Sequence, residues 1–158
     1  MQYSFHSFGD YGRVMSDFDE FLEQCHLAVV AIANGNPEPY KKLFSRREDA
    51  TLANPFAPLG PVSRGWTQVS ETLERAAANY ANGEATGFET AAKHVSADLA
   101  YVVEVERFRA KVGGRNDFVT VALRVTTIFR REAGAWKVVH RHADTITSPR
   151  PAESVVQR

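Results

Sequence analysis

The chain has 158 residues, 44% hydrophobic and 24% charged, which fits one globular domain able to bury a core without disulfide or metal staples. Nineteen Lys and Arg balance nineteen Asp and Glu, so the basic excess that drives nucleic-acid binding is missing, and no run approaches the roughly 18 apolar residues of a membrane span. One cysteine, Cys25, excludes an intrachain disulfide and a cysteine-built zinc site.

Residues 1–15 read as an irregular, aromatic-rich arm without the apolar run of a signal peptide, and a cytoplasmic, reducing location is expected. Ser16 can cap a helix whose first turn holds Asp17, Asp19 and Glu20, suiting the positive end of the helix dipole. Phe18, Phe21, Leu22, Cys25, Val29 and Ile32 recur at helical spacing, and Asn34-Gly35 ends that helix. Pro37 opens a short second helix to about Phe44. Ala50 to Leu52 is a strand candidate, and Asn54 to Pro61, with three prolines and a glycine, is a stiff loop. Trp66 to Tyr80 is a third helix, closed by Asn82-Gly83. From Phe88 the hydrophobic period changes from 3.6 to 2, and Phe88–Val95, Leu99–Ala110, Phe118–Arg130 and Trp136–Thr147 read as strands. Gly113-Gly114 and the segment around Gly134 turn the last three into a meander. The tail from Ser148 reads as loose. Helices first and an antiparallel sheet second is an α+β pattern, with the domain proper spanning residues 16–147 and the tail 148–158.

Alternation assigns faces to the sheet. The odd rows Leu99, Tyr101, Val103, Val105 and Val119 to Phe129 are apolar enough to lie under the helices. The even row then collects Glu104, Glu106, Arg124, His140, His142 and Asp144, with Glu104, Arg124 and His142 adjacent if the turns pair even with even. This row is either a catalytic constellation, with His140 or His142 as base, Asp144 beside them and Arg124 holding an anion, or the outer face of the sheet, wet or covered by a second copy. Alternation favours the outer face. His140 and His142 lack an evident third ligand, so no metal is expected, and no cofactor.

Two segments carry a family resemblance. One is Asn36-Pro37-Glu38 to Phe44 with Asp49-Ala50-Thr51-Leu52-Ala53-Asn54-Pro55-Phe56. The other is Phe129-Arg130-Arg131-Glu132-Ala133-Gly134-Ala135-Trp136-Lys137-Val138-Val139-His140-Arg141-His142. With the intervening lengths they resemble the nuclear transport factor 2-like superfamily, nearest its SnoaL-like and ketosteroid-isomerase-like branches. The last segment also resembles the association domain of calcium/calmodulin-dependent kinases. The resemblance covers about residues 16–147. It implies a conical barrel, a strongly bent and mainly antiparallel sheet packed on about three N-terminal helices, with a pocket at the open end and a homodimer through the sheet's outer face.

The resemblance places the pocket on the odd sheet positions, with Tyr101, Val103, Thr127 and Arg141 inside, joined by Tyr40 and Asn54, and with Phe56 and Trp66 at its mouth. Trp66 equally suits the core, Arg141 the solvent rim, and Asn54 a brace for the proline loop. It also argues against steroid-isomerase chemistry. Asn54 stands where the carboxylate base falls, Ala28 near the oxyanion tyrosine and Thr126 near the sheet aspartate, and an amide accepts no proton at neutral pH. The expected function is that of a SnoaL-like protein binding a small, largely apolar or carbonyl-containing ligand. Any chemistry is cofactor-independent acid–base isomerisation, cyclisation or hydration. The alternative is a non-enzymatic dimerisation or assembly module.

Overall fold

The computed structural model describes residues 16–56, 60–146 and 148–157; the expected arm over residues 1–15 lies outside them. Helix α1 (Asp17–Ala33) begins as its sequence requires. Ser16 Oγ accepts from the Asp19 N–H at 3.1 Å and donates to the Asp19 carboxylate at 2.8 Å. It ends in a Schellman motif: Gly35, at φ +82°, bonds back to Ile32, and Asn36 to Ala31. The remaining elements are α2 (Glu38–Leu43), β1 (Thr51–Ala53), β2 (Ser63–Arg64), α3 (Gly65–Ala78), β3 (Tyr80–Val95), β4 (Leu99–Val112), β5 (Val119–Glu132) and β6 (Ala135–Thr145).

One sheet in the order β2-β1-β6-β5-β4-β3 holds all six strands; β1 runs parallel to β6, and every other pair is antiparallel. The three helices lie against one side of this curved, unclosed sheet, the α+β cone expected. The stripe of α1 is its buried face: Phe18, Leu22, Cys25 and Val29 pack with Val102, Phe129, Trp136 and Val138. Phe18 is fully buried and meets Phe129 and Trp136 edge-on at 5.1 and 5.2 Å between ring centroids.

Three expectations are corrected. Asn82-Gly83 does not close α3; Asn79 caps it, and Asn82 (φ +56°) and Gly83 sit inside β3 at a register shift. Glycine is required there because a Cβ on Gly83 would lie 2.3 Å from that of Ala33. The tail carries a single 3₁₀ turn, Ala152–Val155, with no residue buried.

On β4 the faces are reversed. Ala100, Val102, Glu104, Glu106, Phe108 and Ala110 point inward, while Leu99, Tyr101, Val103 and Val105 point out. The physical reason lies further along the strand, where the odd row continues as Arg107, Arg109 and Lys111. Burying three cations costs more than burying two carboxylates that find partners. The β4–β5 register therefore pairs even with odd, setting Glu104 against Val125 and Arg124 against Val105.

On β6 the parity changes midway. Ile128 pairs with His140 but Phe129 with Val138, leaving Val139 as an extra residue. Trp136 and Val138 are buried before this bulge, and Arg141 and Ala143 after it. Trp136 and Val138, even-numbered like His140 and His142, thus belong to the core.

Candidate binding cone

Leu52 of β1, Arg141 of β6, Thr127 of β5 and Val102 of β4 are successive partners across the inner face. All four are buried. The β6 bulge is what turns Arg141 inward. From there its guanidinium reaches across β5 to Glu106 on β4, and Nη1 and Nη2 donate to the two carboxylate oxygens at 2.7 Å each. Glu106 is 1% exposed. Nη1 also donates to the Tyr40 hydroxyl oxygen at 3.5 Å, which α2 supplies from the other side of the cone.

Burial works against the charge of Arg141, yet the Glu106 carboxylate outweighs it and holds the guanidinium protonated more firmly than usual. Burial raises the hydroxyl of Tyr40 above its ordinary range despite the pull of Arg141, and it raises the thiol of Cys25 likewise. Both groups are therefore neutral, and Cys25 is packing rather than a nucleophile. The Tyr80 hydroxyl is pushed up to about 12, chiefly by burial.

The pair forms one wall of a cavity of about 50 Å³, otherwise lined mainly by apolar side chains including Val29, Leu52, Leu73, Phe108 and Leu123. Asn54, Phe56 and Tyr80 are half-buried members of its lining, and Tyr80 meets Phe56 and Phe108 edge-on. Phe56, Tyr80 and Leu123 also line an adjoining, more open groove of about 480 Å³. A dedicated ligand pocket usually encloses about 300–1,000 Å³. The inner chamber by itself thus suits a small group, and anything larger must extend into the groove.

A second buried carboxylate, Glu104, faces the helix layer two residues before Glu106, and His26 Nε2 of α1 lies 3.0 Å from it. The imidazole stacks on Phe88 at 4.0 Å. Reading the sequence missed Glu104, Glu106 and His26 as interior groups. The signal was present: over the whole of β4 the even row carries two carboxylates, and the odd row carries three cations.

Of the expected pocket residues, Tyr40, Asn54, Phe56 and Arg141 line the cavity. Thr127 is buried on the same face. Asn54 also braces the loop, its Oδ1 accepting from the Phe56 N–H at 2.6 Å. Trp66 is half-buried against the core with Arg46 stacked at 3.6 Å. Tyr101 and Val103 lie on the outer face, away from the cavity.

The expected polar row is split: Glu104 and Glu106 are inside, and the rest of it lies outside. Arg124 and Asp144 form an exposed two-point ion pair, with bonds of 3.2 and 2.6 Å. His142 is exposed, and His140 Nδ1 shares a 2.8 Å hydrogen bond with Thr51 Oγ1. Burial, then the nearby His142, holds the pKa of His140 below its ordinary value. Thr126, expected near the steroid-isomerase aspartate, also turns outward, while its neighbours Val125 and Thr127 are inside. Among the described residues no three His, Cys, Asp or Glu side chains gather as a metal site, and no helix is long and apolar enough to cross a membrane.

The sequence profile of the SnoaL-like domain matches residues 20–147. Among solved structures, a nuclear transport factor 2 (NTF2-like) superfamily protein from Salmonella enterica superposes with a TM-score of 0.68 at 17% identity, covering 87% of this chain and 96% of that one. A ketosteroid isomerase-like protein from Erwinia carotovora atroseptica gives 0.63 at 14% identity, over 81% and 95%. A CaMKII hub from S. rosetta gives 0.60 at 20% identity, over 79% and 93%. No curated protein matches the sequence.

Proposed function

Because this chain belongs to the SnoaL-like domain family, within the NTF2-like superfamily, we propose that it binds a small, largely apolar or carbonyl-containing molecule. The ligand enters through the mouth at Asn54, Phe56 and Tyr80 and reaches Arg141, Glu106 and Tyr40. The supporting observation is the buried Glu106–Arg141 pair at the wall of an otherwise apolar cavity. As a pure stability device such a pair does no better than apolar side chains of the same volume. As the polar end of a pocket it orients a ligand. Any proton transfer in the cone falls to Tyr40 and Glu106. His140, His142, Asp144 and Arg124, on the outer face, would serve chemistry only in a site open on that side. Domain limits of 16–147, a homodimer and a cytoplasmic location complete this reading.

The dimer contact is placed on the outer face, where Leu99 and Tyr101 are 51% and 42% exposed. Native mass spectrometry of the purified chain tests ligand binding. A small-molecule adduct present in wild type and lost in Arg141→Met supports the proposal. An adduct retained in that variant refutes it, as does a bare chain that no small ketone or amide stabilises against heat.

The small inner chamber favours one second reading, an assembly module whose cone is merely core. Light scattering separates the two: an oligomer that Tyr101→Glu dissociates, formed by a chain without ligand affinity, favours assembly.

A further inference from the structure

We infer that Glu106 sets the charge class of the ligand: the cavity takes an uncharged molecule with a hydrogen-bond acceptor and rejects carboxylates. The inference rests on the pocket reading above. A buried arginine is ordinarily a carboxylate receptor, because its planar fork matches two oxygens at once. Here that edge is already closed, with Nη1 and Nη2 each 2.7 Å from an oxygen of Glu106.

Arg141 and Glu106 are the charged side chains lining the cavity among the described residues, so an entering anion meets no unpaired cation. The next buried acidic side chain, Glu104, offers no cation either, and its partner His26 approaches from α1 and does not line the cavity. A ligand carboxylate would lose its hydration and face Glu106 across a few ångströms. The pair is neutral overall, so no net attraction repays that lost hydration, a penalty on the order of 100-fold in affinity.

A neutral acceptor meets a different site. Tyr40 accepts from Arg141 Nη1, which leaves its phenolic proton free to donate. The apolar walls then bury the rest of the molecule, so a ketone or amide oxygen is the group that fits.

Benzamide and benzoate, equal in shape and opposite in charge class, test this by ligand-observed saturation-transfer NMR at neutral pH. Wild type should bind benzamide at least 100-fold more tightly than benzoate. Glu106→Gln keeps the shape but frees the cation, and should reverse the preference. Tyr40→Phe should weaken benzamide several-fold without admitting benzoate. Benzoate binding to wild type within tenfold of benzamide overturns the inference while leaving the pocket standing. Binding of neither probe to wild type overturns the pocket reading, and this inference with it. Should Glu106→Gln fail to fold, the wild-type comparison decides alone.

Discussion

Removing one partner of the Glu106–Arg141 pair should cost far more than removing both. Arg141→Met leaves the Glu106 carboxylate, 1% exposed, without the two donors that now sit 2.7 Å from its oxygens. Such an orphaned buried charge typically costs about 3–5 kcal/mol. Glu106→Leu strands the guanidinium at a similar cost. The double variant removes both charges and fills the space with apolar atoms, so it should lie within about 1 kcal/mol of wild type, part of that being the lost contact to Tyr40. The coupling energy is then several kcal/mol. For a domain of this size, about 2–4 °C accompanies each kcal/mol. Each single variant should therefore melt about 10 °C or more below wild type, and the double variant close to it. Calorimetry on the four proteins, with urea midpoints as a second measure, checks the cycle. Additive effects, or single losses under about 1 kcal/mol, would falsify the buried geometry of the pair.

His140 carries a pH dependence of known sign. Its folded pKa lies below the unfolded one because of burial and then His142. Stability present above about pH 6.5 is therefore lost as the pH falls towards the folded value, and the acid-side drop in urea midpoint should flatten in His140→Asn. Phe18→Ala, which empties a fully buried site between Phe129 and Trp136, should cost about 3–5 kcal/mol and shift tryptophan emission; an unchanged melting temperature speaks against this core. Gly83→Ala should lose about 1–3 kcal/mol through its collision with Ala33. Ala133→Gly should gain up to about 1 kcal/mol, since Ala133 (φ +49°) and Gly134 (φ +82°) form the two-residue β5–β6 turn; denaturant titration reads both.

Local chemistry in the chain determined most of the elements. The Ser16 cap, the Gly35 stop, the α1 stripe from Phe18 to Ile32 and the switch to alternation near Phe88 each act within a few residues, where helix and strand periods are set. Family resemblance added the cone and put Tyr40, Asn54, Phe56 and Arg141 in one place. Which face of β4 is buried was signalled by Arg107, Arg109 and Lys111 on the odd row but fixed by the assembled sheet, because Glu104 and Glu106 are tolerable inside only if His26 and Arg141, far away in sequence, arrive as partners. The Val139 bulge decided that Arg141 turns inward while His140 and His142 turn out. One inserted residue reverses the parity of a strand, and a period-2 pattern cannot reveal it before the neighbouring strand is in place.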